Sequence, residues 1–258
     1  MSDMYLFANV NFVPGHYGDW QAAYDKLAEY VWSEEKTTKT YYFGIPFDYA
    51  SDVANTTLMF AFEVYENMEA SSSAASRTHL NPVLTMPEVL SPSFTHAAIQ
   101  ALTDIHLKSP TMGTFLKTAL PCMTTGLDLA YYSYAAGFLD RPGDRRECGV
   151  MHDMRIHCTT AEGRGIVETA LRDQVEPGLL RMEGGGAVEN GVYTWLVCRS
   201  NNDDREVRVY SRFRSAEDLE RYLRMPEVQQ FWREHGQKEV ATMEQRGYVP
   251  NHKGWLHR

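Results

Sequence analysis

The chain has 258 residues, of which 43% are hydrophobic and 23% charged, and carries a formal net charge of −9 at pH 7. These are globular proportions, and no apolar run approaches the roughly 18 residues of a membrane-spanning helix. The acidic balance disfavours nucleic acid or an anionic membrane as partner, since both reward a basic surface.

The start, Met1-Ser2-Asp3, lacks a basic segment followed by an apolar one, and Cys122, Cys148, Cys158 and Cys198 show no Cys-x-x-Cys spacing. A cytoplasmic protein with reduced thiols is therefore expected, not a disulfide frame or a zinc site.

In chain order, Met4 to Val13 alternates, with Met4, Leu6, Ala8, Val10 and Phe12 on an apolar face and Tyr5, Phe7, Asn9 and Asn11 on a mixed one. That period marks a strand. Tyr17 to Ser33 places Trp20, Ala23, Tyr24, Leu27 and Val31 at helical spacing, and Thr40–Ile45 and Thr57–Tyr65 read as strands. A helix is expected near Glu66–Glu69 and again over Leu102–Lys108, then Ser109-Pro110, a helix Thr111–Met123 and a strand Asp128–Leu139. The run Ser71–Ala101, with prolines at 82, 87 and 92, reads as an insertion: a poorly ordered excursion, a lid or a translated unspliced segment.

The second half repeats the order. Strand Val150–Cys158, helix Glu162–Val175, a turn at Glu176-Pro177-Gly178, a turn at Glu183–Gly186, and strands Tyr193–Cys198 and Glu206–Phe213 follow. Helix Ala216–Arg224, a Met225-Pro226 break, helix Glu227–Met243 and an extended tail complete it. The two copies close on Gly137-Phe138-Leu139-Asp140-Arg141 and Gly254-Trp255-Leu256-His257-Arg258, and Phe115 and Phe231 each fall five residues past a proline. Matching spacing argues for a tandem repeat, with domains 1–141 and 148–258 joined by a linker at 142–147.

Strand-helix-strand-strand-helix-strand, twice over, predicts an α+β fold of two ferredoxin-like (split βαβ) repeats. The uncovered sheet face, to which Tyr5, Phe7 and Val207 are assigned, needs an apolar partner. The two antiparallel sheets can supply it to each other as a pseudo-dimeric α+β barrel within one chain.

The words Phe62-Glu63-Val64-Tyr65, Asp104-Ile105-His106 with Ser109-Pro110, Val175-Glu176-Pro177-Gly178-Leu179, Arg212-Phe213, Ala216-Glu217-Asp218-Leu219 and Pro226-Glu227-Val228 carry a resemblance. With the repeat, the chain resembles the antibiotic biosynthesis monooxygenase family of dimeric α+β barrels in a tandem-duplicated form. The resemblance implies cofactor-independent oxygenation of an aromatic polyketide-type phenol or anthrone in secondary metabolism. Molecular oxygen would be the co-substrate, a small aromatic compound the substrate, and a homodimer a further assembly. An oxygen-independent decarboxylase, cyclase or isomerase, or a non-catalytic small-ligand-binding or assembly protein, stands as an alternative on the same scaffold.

Such chemistry needs a base, donors for the resulting anion and a dry aromatic cavity. His106 matches a histidine often found in the family's second helix, opposite Tyr222 or Leu223 in the second half, and is the leading base. Asn9 falls where relatives use an asparagine, and aligning the two first strands sets Asn9 and Asn11 against Arg155 and His157. His106, Asn9 and His157 are thus the catalytic candidates, and Asn11, Trp20, Tyr41, Arg155, Trp195 and Arg212 the substrate-binding ones. Core packing is the plainer account of the aromatics, and a solvated face of the stripe Arg205, Arg208, Arg212 and Arg214. His152 and His157 point to opposite faces of a strand, so no metal or other cofactor site is expected.

Overall fold

Sequence alternation and helical periodicity resolve into eight strands and six α-helices in the computed structural model, which describes residues 3–66, 106, 108–139, 147–181 and 191–256. The first half contains β1 (Met4–Phe12), α1 (Tyr17–Glu34), β2 (Thr38–Pro46), β3 (Leu58–Tyr65), α2 (Pro110–Ala119) and β4 (Met123–Phe138). The second contains β5 (Val150–Cys158), α3 (Ala161–Ala170), α4 (Glu176–Arg181), β6 (Val192–Ser200), β7 (Glu206–Phe213), α5 (Ala216–Leu223), α6 (Pro226–His235) and β8 (Val240–Trp255). The insertion assigned to 71–101, the helices placed at 66–69 and 102–108, the Glu183–Gly186 turn and the 142–147 linker lie wholly or largely outside the described residues.

The strands form a closed antiparallel barrel in the order β1-β3-β2-β8-β5-β7-β6-β4. It divides into β4-β1-β3-β2 and β8-β5-β7-β6, two sheets of the same ferredoxin-like order, joined edge to edge by β2 on β8 and β4 on β6. Even-numbered side chains of β1, from Met4 to Phe12, pack outward against α1 and α2 with Trp20, Tyr24 and Phe115. The second half builds the like layer from Met154, Ile156, Trp195, Val207 and Phe231. Tyr5, Phe7, Phe60, Phe62, Tyr132 and Tyr210 fill the barrel interior. Three helices begin on a side-chain cap: Ser109, Thr160 and Ser215 accept the backbone N–H of Met112, Gly163 and Asp218.

The two seams share one construction. Gly137 on β4 and Gly254 on β8 have φ of +92° and +83°, beside register shifts that bend each long strand onto its neighbour. A Cβ on Gly137 would sit 2.0 Å from the Trp195 carbonyl oxygen, and one on Gly254 would sit 1.9 Å from that of Tyr41. Two residues on, Thr40 Oγ1 donates to the Leu256 carbonyl and Thr194 Oγ1 to that of Leu139. Both threonines are fully buried.

Four expectations are corrected. The helix Glu227–Met243 stops at His235, because residues from Val240 onward find a ladder along β5 (Cys158 opposite Val240, His157 opposite Thr242) and become the 16-residue β8. The turn at Glu176–Gly178 is helical: a π turn, Leu171–Val175, leads into α4, where Pro177 occupies the first turn and needs no N–H partner. Met123, placed in a helix, opens β4 after a 3-10 turn at Leu120–Cys122.

The fourth correction concerns β7. Val207 faces the helices, and the arginine stripe divides: Arg205 and Arg214 reach solvent, with side chains 56% and 47% exposed, whereas Arg208 and Arg212 are buried inside the barrel at 2% and 0% exposure. Arg208 forms a two-pronged bond to Asp153 at 2.6 and 2.7 Å, with its guanidinium 4.1 Å from the Phe7 ring centre. Burial opposes the cation, but the Asp153 carboxylate more than offsets it and holds the Arg208 pKa above its ordinary value.

The seams predict that Gly137→Ala and Gly254→Ala each destabilise the fold by about 1–3 kcal/mol from backbone strain, before any clash with the facing carbonyl is added. Gly165→Ala, on α3 with open space around it, leaves stability unchanged or raises it. Urea denaturation midpoints check this; equal midpoints for all three variants would contradict the seam assignment.

Candidate functional site

The candidate site of the first half lies between its helices and the outer face of its sheet. Trp20 and Tyr24 of α1, Tyr41 and Phe43 of β2, Glu63 of β3, Met112 and Phe115 of α2, Leu127 and Leu129 of β4, and His106 line a cavity of about 50 Å³. The helical spacing of Trp20 and Tyr24 stacks their rings 5.2 Å apart. The strand period puts Tyr41, Phe43, Glu63 and Tyr65 on the same side of the sheet as α1.

Within this apolar shell sits an acid–base cluster. His106 Nδ1 lies 2.8 Å from Glu35 Oε2, with both side chains buried. The Tyr65 hydroxyl donates to Glu63 Oε2 at 2.6 Å. The His106 ring meets the ring of Tyr41 edge-on at 5.9 Å and that of Tyr65 at 6.2 Å. Burial raises the Glu63 pKa to about 6, against the opposing pull of His106 and the Tyr65 hydroxyl and with help from the Glu35 carboxylate. Burial likewise lifts the Tyr24, Tyr41 and Tyr65 hydroxyls well above 10, so they remain donors.

Trp20 Nε1 and the Tyr24 hydroxyl are buried with no hydrogen-bond partner among the described residues. A buried donor left so costs about 1–3 kcal/mol, which makes the pair a ready place for an acceptor.

Ladder register aligns the second half. Leu6 opposite Glu63 and Tyr41 opposite Glu63 correspond to His152 opposite Ser211 and Trp195 opposite Ser211. Glu63 is thus replaced by Ser211, Tyr65 by Phe213 and Tyr41 by Trp195. Tyr222, not Leu223, is the buried residue of α5 at the place of His106. Trp195 Nε1 donates to the Tyr222 hydroxyl at 3.0 Å, and Phe213, Tyr222 and Phe231 fill the space. The halves are unequal.

The residues singled out from the sequence divide among four places. His106, Trp20 and Tyr41 meet at the cavity, and Trp195 lies in the core of the second half. Arg212 is inside the barrel, donating from Nε to Thr194 Oγ1 at 3.0 Å. Asn9, Asn11 and Arg155 line a polar basin of about 490 Å³ at one end of the barrel, with Asp128, Glu244 and Arg246. There Arg155 Nη2 reaches Glu206 Oε2 at 2.8 Å, His157 Nε2 approaches the same oxygen at 3.3 Å, and the Tyr132 hydroxyl donates to Oε1.

Glu63, Glu35 and Tyr65 were not singled out. The signal for Glu63 was present, since an acidic residue sits within the apolar run Leu58–Tyr65, on the side that faces the helix. A larger hollow of about 740 Å³, lined by Arg181, Glu220 and Arg224 among others, is an open surface groove without any of these acid–base groups. Metal-capable side chains converge, among the described residues, at His16, Asp19 and Cys122, none of which lines the cavity and of which the first two are exposed.

Folding raises the Glu63 pKa from 4.5 to about 6, so the native state holds this proton more tightly than the unfolded chain does. The associated stabilisation is complete below pH 4.5 and is lost as pH rises through 6, about 2 kcal/mol in all. Glu63→Gln, neutral throughout, removes that dependence. The stability of the wild type relative to this variant therefore falls by about 2 kcal/mol between pH 4 and pH 7.5, measurable by urea unfolding.

The sequence profile described as antibiotic biosynthesis monooxygenase matches residues 167–234. No curated protein matches the sequence. Among solved structures, a candidate monooxygenase of Fusobacterium nucleatum is similar with a TM-score of 0.67 at 7% identity, over 98% of this chain and 94% of that one. One of Lactobacillus acidophilus has a TM-score of 0.63 at 10% identity, over 97% and 94%. An anthrone oxidase-like protein has a TM-score of 0.55 at 12% identity, over 98% and 94%. At these identities the likeness is one of fold.

Proposed function

We propose a cofactor-independent monooxygenase acting on an aromatic polyketide-type phenol or anthrone in secondary metabolism. The match of residues 167–234 to the antibiotic biosynthesis monooxygenase profile supports this reading, as does a fold shared along nearly the whole chain with structures described as candidate monooxygenases. The observation that carries this reading is the buried acid–base cluster of Glu63 and His106 on the wall of an otherwise apolar cavity. Base removal of a proton makes such a substrate electron-rich enough to meet dioxygen directly. A ring methylene and O₂ then give a ring carbonyl and water, with atoms and electrons balanced. An apolar wall strengthens every charge interaction inside and keeps water from the reactive anion. The like strand order of the two halves supports descent from a duplicated unit, with the first half retaining the chemistry.

One observation favours a second reading. A cavity of about 50 Å³ is a third of the roughly 150 Å³ that accommodates benzene, so an aromatic ring enters only if side chains such as Met112, Phe115, Leu127 and Leu129 swing aside. A non-catalytic role in ligand binding or assembly needs no such movement. Oxygen-independent proton chemistry, by contrast, needs the same base.

Oxygen uptake and product formation with 1-naphthol and 1,8-dihydroxy-9-anthrone, in air and under argon, separate the readings. Turnover in air that stops under argon is the expected result. Turnover that continues under argon assigns an isomerase, cyclase or decarboxylase, binding without turnover favours the ligand-binding role, and a lack of both binding and turnover with either compound favours the assembly role.

A further inference from the structure

We propose that Glu63, and not His106, takes the substrate proton in the first-half cavity, and that Trp20 Nε1 and the Tyr24 hydroxyl are the donors that receive the resulting oxyanion. The assignment rests on the acid–base reading of the cavity given above and divides the roles within it.

Three observations converge. His106 is held: its Nδ1 lies 2.8 Å from a buried carboxylate oxygen of Glu35, and its ring is flanked by those of Tyr41 and Tyr65. That arrangement fixes an imidazole and sets the field around its neighbour. Glu63 lines the same cavity from the strand, and Tyr65 engages one of its two oxygens, Oε2, which orients the carboxylate. The two unpartnered donors belong to the same cavity wall, and the second half, whose counterparts of Glu63 and His106 are Ser211 and Tyr222, satisfies its own indole internally through the Tyr222 hydroxyl. A carboxylate and two free donors occur together where the cavity is, whereas in the filled second half the carboxylate is replaced by Ser211, whose Oγ, unpartnered among the described residues, lies there without an acid–base group at its place.

The groups facing Glu63 are Tyr65 on its own strand, Tyr41 on β2, Tyr24 and Glu35 on and beside α1, Tyr131 on β4, and His106. Burial lifts all four tyrosine hydroxyls, so the charges that tune the carboxylate come from Glu35 and His106. The step is a proton transfer alone. The substrate O–H or activated C–H bond breaks, an O–H bond forms on Glu63, and the electron pair stays on the substrate as phenolate or enolate, stabilised by the Trp20 and Tyr24 donors. Oxygenation follows on that anion.

The test is the pH profile of kcat/KM for oxygen uptake with 1,8-dihydroxy-9-anthrone, in the full-length wild type and in Glu63→Gln, Glu63→Asp, His106→Asn, Trp20→Phe and Tyr24→Phe. The wild type should show an acid limb near pH 6, where Glu63 ionises. Glu63→Gln should lose that limb and fall by about 100-fold or more, while Glu63→Asp keeps the limb at reduced rate. His106→Asn should keep the limb but move it to higher pH, because the histidine holds the Glu63 pKa down. Trp20→Phe and Tyr24→Phe should lower kcat more than they raise KM.

A limb that survives Glu63→Gln and vanishes in His106→Asn overturns the assignment and leaves the enzymatic reading intact. A wild type that shows neither oxygen uptake nor product formation, in air or under argon, sinks both. Thermal unfolding of each variant separates loss of chemistry from loss of fold.

Discussion

Closure at two seams is the constraint on which the rest of this structure depends. An open four-stranded sheet presents unpaired N–H and C=O groups along both edges and an apolar face to water. Here each sheet lends its last strand, β4 or β8, across the gap, and that 16-residue strand pairs on one side with its own half and on the other with the partner half. A strand serving two sheets must bend between them. The bend is made where a glycine at positive φ comes within contact of a carbonyl and a buried threonine hydroxyl meets the chain two residues beyond. The repeated closing words of the two halves, each led by glycine, are the sequence record of that geometry.

Inside the barrel the two halves contribute unlike surfaces. The first offers Phe7, Phe60 and Phe62, and the second offers Asp153 and Arg208 at the ladder positions of Phe7 and Phe60, with Tyr210 at that of Phe62. Apolar walls around a buried ion pair raise both its desolvation cost and the attraction that offsets it, so removing one partner is far more damaging than the pair is stabilising. The arginine lies over aromatic faces of the other half, an arrangement that requires one sheet of each kind. The same unlikeness extends to the helix sides. One half has carboxylates and a histidine beside a cavity, and at the places of Glu63, Tyr65, Tyr41 and His106 the other has Ser211, Phe213, Trp195 and Tyr222, which together with Phe231 fill the space.

That division bears on how function is distributed. The family's sequence profile matches residues 167–234, in the half whose interior is filled, while the acid–base groups lie in the half outside that match. The matched stretch includes scaffold positions: Pro226 sets the helix break, and Val228 and Phe231 are buried in the core. Chemistry depends on a few side chains that the scaffold tolerates in several forms, and these are free to differ between halves of one chain.

The sequence by itself determined what is local. The alternation of β1 and the helical spacing of Trp20, Tyr24, Leu27 and Val31 named their elements and buried faces, because period and burial are properties of consecutive residues. Strand order could be argued from the repeat, since short connections and like edges restrict the topology. The end of α6 could not: nothing in Gly236–Met243 distinguishes a fraying helix from a strand until the free edge of β5 supplies hydrogen-bond partners. Nor could the fate of Arg208 and Arg212, which look like a solvated stripe until Asp153, contributed from 55 residues away, and Thr194 are placed beside them.

The candidate site divides in the same way. His106, Trp20 and Tyr41 were legible as residue types suited to the chemistry, whereas Glu63, Glu35 and the separation of Asn9, Asn11 and Arg155 into another hollow were decided by tertiary structure. A carboxylate becomes a base by losing water and gaining neighbours, and only the folded chain determines which neighbours those are.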